Sequence, residues 1–360
     1  MGSEIALGRA FDRDRGMLAL RKLAPEPGIA LCEVPEPAAP GPDDVVVAVT
    51  AAGICGTDLH IADWTAGYAA MAQAMPVTMG HEFAGRVARL GEGVSDLRRG
   101  DRVVIRPSVV CGQCERCCTG QAEDCVTRRG IGIMRDGGFA ALACVPAENC
   151  VPVPDALTDA LAALTEPMTV SAEAVDTAGV RQGDSVLIIG PGTIGQGIAL
   201  FTEAAGADRI VIAGHDDAAR LATLRDMGFA DTLDTVGTSL RKGLERAGLP
   251  LSYDRIIEAA GVPALVGEAL DLLALRGVLT ICGIHAKPAA VDLTILVRRH
   301  QQIRGSYRAP LATWPRVLGY LAAHGARVSH MITEEVALAE APAAFARAKS
   351  RSASKIMLRP

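Results

Sequence analysis

The chain has 360 residues, of which 49% are hydrophobic, and a formal net charge of -5 at pH 7. This charge excludes the basic surface that nucleic acids and anionic membranes require, so we expect small molecules and other copies of the chain as partners. The length exceeds that of one ordinary hydrophobic core and predicts two domains.

The N-terminal stretch, residues 1–16, is predicted to be a charged extension. It carries charges where a signal peptide needs an apolar core, and no apolar run free of glycine is long enough to span a bilayer. Ten cysteines in such a chain favour metal ligation over disulfides. These features predict a cytoplasmic protein.

Short strands with glycine and proline turns dominate residues 17–167, where MLALRKL, DDVVVAVTAAGIC and GDRVVIRP are predicted strands. Between residues 168 and 305, strands alternate with helices, which indicates a doubly wound parallel sheet. Residues 306–360 contain two amphipathic helices and the strand KIMLRP, and we expect them to return to the first domain. The predicted fold class is therefore α/β, with a β-rich domain beside a dinucleotide-binding domain.

A glycine-rich turn, G-P-G-T-I-G, follows the apolar strand SVLII and opens an apolar helix. The first glycine permits a tight turn, the second lets the backbone approach a pyrophosphate, and the third allows close packing of helix on strand. This context predicts dinucleotide binding, although the motif alone also occurs as an ordinary turn. The residues of the predicted turn are Gly190, Gly192, Thr193, Ile194 and Gly195.

The residue that binds the adenosine ribose is predicted to follow the second strand of this domain, where an acid is usual. His215 occupies that place, and Asp216 is next to it. Asp216 would favour NAD, whereas His215 and Arg220 could tolerate the 2′-phosphate of NADP. We expect NAD, with NADP as the alternative.

The stretch from Gly53 to Gly85 contains a candidate catalytic metal site. Cys55, His81 and Glu82 offer a thiolate, an imidazole and a carboxylate, which are the ligands that Zn²⁺ prefers. Taken alone, Cys55 would more simply be a buried core thiol, and His81 a hydrogen-bonded core histidine.

Three further residues in this stretch suggest a proton path. Thr57 supplies a hydroxyl, Asp58 an acid and His60 a titratable base. His60 could equally be an ordinary surface histidine.

Four cysteines with the spacing C-x2-C-x2-C-x7-C suggest a second metal site. Four thiolates in so short a loop can close a tetrahedron around Zn²⁺ and leave no position for substrate, which predicts a structural site. Disulfides are the alternative, with poorer geometry for neighbours this close. The predicted ligands are Cys111, Cys114, Cys117 and Cys125, and Cys118 is spare.

With these motifs in order, the chain resembles the zinc-containing medium-chain alcohol dehydrogenases over nearly its whole length from Met17. The matching segments are GICGTDLH, GHEFAG, GDRVV, the four-cysteine loop, GGFA, LTEPMTVSAEAV and GPGTIG. Among the members, it is most similar to threonine dehydrogenases and to sorbitol and other polyol dehydrogenases. It departs from many threonine dehydrogenases at residues 65–70, TAGYAA, where a second tryptophan is usual.

The resemblance implies a GroES-like catalytic domain, a Rossmann domain and specific residue roles. Cys55 and His81 would bind the catalytic zinc, with Glu82 or Glu166 as the third ligand or as an acid that exchanges with water.

The same resemblance implies a proton relay. Asp58 would orient His81 through its other ring nitrogen. Thr57 would bind the substrate hydroxyl and pass its proton, through the nicotinamide ribose, to His60.

These expectations combine into a zinc- and NAD(P)-dependent dehydrogenase with one catalytic and one structural zinc per chain. The substrate would be a secondary alcohol in a small polar molecule, such as a polyol, a cyclitol or a β-hydroxy amino acid, and the resemblance suggests a homodimer or homotetramer. The alternatives are a zinc-free reductase of the same fold and a zinc-knuckle binding module.

Overall fold

The structure is a computed structural model that describes residues 16–360, apart from the side chain of Ala66. The predicted N-terminal extension lies outside the described residues except for Gly16, which begins the first strand. Within the described part of the chain, no helix is both long and apolar enough to cross a membrane.

The N-terminal half is rich in strands, as its turn-punctuated pattern predicts. Its strands are β1 (Gly16–Lys22), β2 (Ala30–Pro35), β3 (Asp44–Gly53), β4 (Val77–Thr78), β5 (Glu82–Leu90), β6 (Arg102–Ile105), β7 (Ser108–Val109), β8 (Arg129–Gly130), β9 (Leu142–Pro146) and β10 (Cys150–Pro152). Its helices are α1 (Gly56–Ala62), α2 (Glu115–Cys118), α3 (Asp159–Ala163) and α4 (Thr165–Ala178), and short 3₁₀ helices cover Ala66–Ala74, Ala122–Asp124 and Ala147–Asn149.

The second half alternates strands with helices. The strands are β11 (Ser185–Ile189), β12 (Arg209–Gly214), β13 (Thr232–Asp234), β14 (Tyr253–Glu258), β15 (Leu273–Ile281) and β16 (Gln302–Gly305), followed by β17 (Ile332–Ala337) and β18 (Lys355–Arg359). The helices are α5 (Thr193–Ala204), α6 (Ala218–Asp226), α7 (Leu240–Arg246), α8 (Pro263–Leu272), α9 (Leu293–Arg298), α10 (Thr313–Val328) and α11 (Ala341–Lys349), with 3₁₀ turns at Ser329–Met331 and Leu338–Glu340.

Strands β11 to β16 form one parallel sheet in the order β13-β12-β11-β14-β15-β16. The central strand β11 is almost wholly buried because its apolar side chains meet helices on both faces. This order, which reverses between β11 and β14, is that of a doubly wound dinucleotide-binding sheet. The predicted fold class is confirmed.

The leucine-rich run ALVGEALDLLALRG divides between a helix and a strand. Helix α8 ends at Leu272, and Leu273 already begins β15, which pairs in parallel with β14. A continuous leucine-rich run fits a buried strand as well as a helix, so sequence period alone does not place this boundary.

The C-terminal strands join the N-terminal sheet. Strand β18 pairs antiparallel with β3, with Met357 opposite Gly53, and in parallel with β17. The main β-rich sheet therefore has the order β10-β6-β5-β3-β18-β17, with β9 also paired to β3.

Helix α4 connects the two halves of the molecule. It packs against α5 of the parallel sheet and against α10, and it runs through the predicted domain boundary at residues 167–168. The other predicted boundary, at 305–306, follows the last residue of β16. The cleft that contains the candidate site has α4 along one side.

Candidate active site

The pairing of β3 with β5 gathers the predicted metal ligands. Gly53, the last residue of β3, lies opposite Glu82, the first residue of β5. Cys55 follows β3 at the N-terminus of α1, and His81 directly precedes β5. Ligand atoms of Cys55, His81 and Glu82 consequently lie within 4.8 Å of one another, although Cys55 precedes the other two by more than twenty positions in the sequence.

Asp58 contacts both Cys55 and His81 of this cluster. Its Oδ2 accepts a hydrogen bond of 2.9 Å from the Cys55 N–H, and its Oδ1 lies 3.6 Å from Nδ1 of His81. Asp58 is fully buried, so its charge acts with little screening by water. Since Nδ1 faces Asp58, Nε2 remains available to a metal, as the predicted role of Asp58 requires.

The negatively charged groups of this site would be stabilised by a bound cation. Burial by itself lowers the pKa of His81, but the charges of Asp58 and Cys55 outweigh it and raise that pKa well above its ordinary value. Burial raises the pKa of the Cys55 thiol, and the charge of Glu82 adds to this effect. Buried thiolate and carboxylate groups of this kind are stabilised by a bound cation, so the donor set fits Zn²⁺.

Two acids compete for the third place in the metal shell. Glu82 belongs to the close cluster, and its Oε2 is paired with Lys355. Glu166 lies on α4 and lines the same cleft as Cys55 and His81. Burial raises the pKa of Glu166 to about 7, with His81 opposing and Glu82 reinforcing the shift.

The residues of the predicted proton path lie around Tyr68. Thr57 lines the cleft, whereas His60 is exposed on the outer side of α1. The ring of Tyr68 stacks on His60, with 6.4 Å between centroids and 17° between planes. Burial raises the pKa of Tyr68, and a hydrogen bond with Thr57 opposes this shift. Tyr68 thus contacts both ends of the predicted path.

The four cysteines of the predicted structural site converge around one point. Their sulfur atoms all lie within 4.8 Å of one another, and three of the pairs are 3.5, 3.9 and 4.0 Å apart. Four sulfurs at about 2.3 Å from a zinc ion form a tetrahedron with edges of roughly 3.8 Å, close to these separations. None of the cysteines in residues 16–360 forms a disulfide. The geometry fits a closed tetrahedral metal site, and Cys118 is exposed outside it.

The glycine-rich turn has the conformation that its sequence predicts. Gly190 has φ of +110°, and a Cβ at Gly195 would lie only 1.8 Å from the Gly190 carbonyl oxygen. A larger residue at either position would therefore disrupt the turn. Gly190 and Gly192 line a cavity beside the ends of β11 and β12, and Ile194 faces the cleft of the metal site. Thr193 begins α5 between them.

The ribose end of this cavity differs from the sequence prediction. His215 and Arg220 line it, but Asp216 has φ of +53°, is exposed, and does not line the cavity. The backbone N–H of Asp216 is held by Asp234 Oδ1 at 3.0 Å. This turn brings the next residue, Asp217, to the cavity instead.

Asp217 is only 6% exposed, and its Oδ1 has no hydrogen-bond partner among the described residues. Its Oδ2 lies 3.5 Å from the Arg220 guanidinium. Sequence reasoning missed Asp217 because the left-handed residue that redirects the chain is itself an aspartate, which tolerates that conformation better than most residues.

Lys355 was also missed. It is the first residue of β18. Its Nζ donates hydrogen bonds to Glu82 of the metal cluster and to the Ile54 carbonyl oxygen, the latter at 2.9 Å. The lysine at the start of the strand KIMLRP was a visible signal, but nothing in the sequence indicates its partner.

Comparison with known proteins identifies the family to which this chain belongs. Residues 41–155 match the alcohol dehydrogenase GroES-like domain, and residues 193–323 match the zinc-binding dehydrogenase family. The L-threonine 3-dehydrogenase of Rhizobium rhizogenes is 30% identical over 345 residues, which cover 95% of this chain and 98% of that protein.

Solved structures give the same result. A candidate zinc-binding dehydrogenase of Sinorhizobium meliloti 1021, bound to NADP, superposes with a TM-score of 0.84 at 30% identity, covering 96% of this chain and 100% of that chain. A short chain alcohol dehydrogenase of Escherichia coli CFT073, in complex with NADH, has a TM-score of 0.85 at 27% identity, covering 96% and 99%. The resemblance seen in the sequence motifs is confirmed, and the chain belongs to the zinc-binding medium-chain alcohol dehydrogenase family.

Proposed function

We propose that this protein oxidises a secondary alcohol of a small polar substrate to the ketone, with zinc at the Cys55 cluster and a nicotinamide dinucleotide as hydride acceptor. One observation carries the proposal. Cys55 and His81 line the same cleft as Ile194, which belongs to the glycine-rich turn for the dinucleotide. A metal site and a cofactor site that share a cleft suit the transfer of a hydride beside a metal ion.

The chemistry divides between the bound groups and the chain. When bound, zinc would supply Lewis acidity that lowers the pKa of the alcohol, and the nicotinamide would supply the hydride acceptor. Cys55 and His81 would hold the metal, with Glu82 or Glu166 completing its shell. Asp58 would fix the ring of His81.

The chain also has to remove a proton from the substrate. Thr57 lies in the cleft where it can accept that proton in a hydrogen bond, and His60 is exposed to solvent. Tyr68 connects the two residues, because its ring stacks on His60 and its hydroxyl forms a hydrogen bond with Thr57. This arrangement supports a relay from Thr57 to His60, in which the nicotinamide ribose would be the intermediate group.

For the cofactor we propose NAD, with Asp217 in the role expected of the ribose acid. Its unpartnered Oδ1 is buried at the end of β12 and can accept hydrogen bonds from ribose hydroxyls. Arg220 would hold the other oxygen in place. The relatives with bound cofactors hold NADP in one case and NADH in the other, so the choice rests on these side chains.

For the substrate, the R. rhizogenes relative suggests a β-hydroxy amino acid such as threonine, and polyols are the alternative. We further propose a homodimer or homotetramer. Edge strand β16 and its neighbours expose Leu275, Val297 and Ile303, which continuation of the sheet into a second copy would cover. Four cysteines placed to bind a metal instead of pairing in disulfides suit a reducing compartment, which supports the cytoplasm.

The test is a screen of secondary alcohols with NAD and with NADP, following the absorbance of the reduced nicotinamide, together with zinc analysis. We expect two zinc ions per chain and turnover in the wild type. Cys55→Ser should abolish turnover and retain one zinc ion. Cys32→Ser, on the outlying strand β2, is the matched control and should retain both. Undiminished turnover in Cys55→Ser would refute the proposed site.

A further inference from the structure

The cleft of the metal site carries a second group of charged residues, away from the metal ligands. Arg106, Arg128 and Arg308 all line it, together with Tyr307 and a single additional acid, Glu123. The Arg106 side chain is only 12% exposed, and Arg128 and Arg308 are half-buried. Three guanidinium groups in one partly desolvated cleft need anionic partners.

Glu123 forms an ion pair with only one of these three arginines. Arg106 lies 3.5 Å from Glu123 Oε1, the same oxygen that accepts a 3.1 Å hydrogen bond from the Leu311 N–H. Arg128 contacts no carboxylate oxygen within ion-pair distance in the described part of the chain. Its Nη1 reaches only the carbonyl oxygens of Glu123 and Cys125, each at 3.5 Å.

Arg308 has still fewer partners. Among residues 16–360 it has no ion pair, and its Nε is buried without a hydrogen-bond partner. Its guanidinium carbon lies 4.5 Å from the centroid of the Tyr307 ring, and its backbone is held at φ of +63°. Burial lowers the pKa of Arg308, and the charge of Arg128 lowers it further, against opposing contributions from Tyr307, Glu123 and Asp124. Both side chains line the same cleft, where their like charges repel each other.

The position of this pair indicates the substrate rather than the adenosine end of the cofactor. The cavity at the ends of β11 and β12 contains a different pair of arginines, Arg220 and Arg351. Arg308 shares its cleft with Cys55 and His81, where the reacting alcohol would lie in the proposed reaction. Guanidinium groups bind carboxylate and phosphate in forked geometry.

We propose that Arg128 and Arg308 form an anion subsite that binds a carboxylate or phosphate group of the substrate. This inference rests on the proposed function and narrows it: the substrate is an anionic secondary alcohol, either a hydroxy acid or a phosphorylated polyol. Arg106 lines the same cleft but is already paired with Glu123 and is not part of the subsite.

The test compares alcohols that differ in one anionic group. 3-Hydroxybutyrate is paired with 2-butanol, and glycerol 1-phosphate with glycerol. We expect kcat/KM for one anionic member to exceed that of its neutral partner by about 10- to 100-fold, as befits a hydrogen bond to a charged group. The first pair identifies a carboxylate and the second a phosphate. A neutral partner oxidised as well as its anionic counterpart would overturn the inference.

Variants then locate the effect. Arg308→Ala should raise KM for the anionic alcohol about 10-fold or more and change KM for the neutral alcohol much less, and Arg308→Lys should recover part of the loss. Arg129→Ala is the matched control, because Arg129 is the exposed residue next to Arg128, at the start of β8, and does not line the cleft. If Arg308→Ala raised KM for NAD instead, the arginines would serve the cofactor and the inference would be wrong.

A binding measurement separates this inference from the proposed function. Calorimetry with inorganic phosphate should show binding to the wild type that is lost in the double variant Arg128→Ala, Arg308→Ala. Should no alcohol be oxidised while this difference persists, the dehydrogenase proposal fails and the anion subsite stands. Equal phosphate binding by both proteins would refute the subsite whatever the turnover.

Discussion

Lys355 and Glu82 form an ion pair in which each side chain is only 1% exposed, and Glu82 belongs to the same cluster as Cys55 and His81. Burial lowers the pKa of Lys355, but the charges of Glu82 and Cys55 outweigh this and raise it above its ordinary value. The lysine therefore stays charged and balances part of the negative charge of the metal cluster.

Lys355→Met should destabilise the protein, because it leaves the carboxylate of Glu82 buried without its partner. We expect the free energy of unfolding to fall by about 3–5 kcal/mol, as measured by urea denaturation. Adding Glu82→Gln should restore much of that loss.

Lys349→Met is the control for this prediction. Its partner is Asp63, and both side chains are well exposed, at 63% and 48%. An exposed pair contributes about 1 kcal/mol or less. Equal losses in the two variants would show that burial of the Lys355 pair has no special effect.

The four-cysteine site should bind its own zinc independently of catalysis. Cys114→Ser should lower the zinc content from two to one per chain and reduce the free energy of unfolding by several kcal/mol, since metal binding there contributes to folding. Cys118→Ser, with an exposed thiol next to the site, should retain both ions and full stability. Metal analysis and thermal denaturation check both, and a normal zinc content in Cys114→Ser would count against the site.

When the catalytic zinc is absent, Glu166 should make the free energy of unfolding depend on pH. Its pKa is raised from 4.5 to about 7 in the folded chain, so between these values the folded state holds a proton that the unfolded state has released. Stability conferred by this group is then lost as pH rises from about 4.5 to 7, by at most about 3 kcal/mol.

This dependence can be measured in the Cys55→Ser protein, which is expected to lack the catalytic metal. Its melting temperature should fall over that pH range, and adding Glu166→Gln should flatten the curve. Curves of equal slope in the two proteins would show that Glu166 is ionised throughout.

Asp217 should decide the cofactor. Asp217→Ala removes the buried acceptor at the ribose end and should weaken NAD binding about 10-fold while affecting NADP less. Asp216→Ala is a matched control, because this neighbouring acid does not line the cavity. Titration calorimetry with both nucleotides gives the two affinities. Tighter wild-type binding of NADP would mean that Arg220 and Arg351 bind a 2′-phosphate.

The features predicted well from sequence are those whose parts are close in the chain. The four cysteines lie within fifteen residues, and the glycine turn carries its strand and helix on either side. Cys55, His81 and Glu82 were identified because their donor types match zinc chemistry, although their meeting depends on the pairing of β3 with β5.

The features that sequence missed arise from contacts between distant segments. Lys355 reaches Glu82 across 273 positions. Arg128 and Arg308 meet in the cleft from two different segments. Asp217, and not Asp216, lines the cofactor cavity because Asp216 adopts a left-handed conformation. Neither composition nor spacing specifies that backbone angle.

Strand β18 begins at Lys355 and inserts beside β3. Every candidate ligand of the catalytic metal precedes Lys355 in the chain, so the counter-charge of Glu82 is in place only once β18 has paired with β3. The catalytic metal site therefore reaches its final electrostatic balance only when the β-rich sheet has taken up β18.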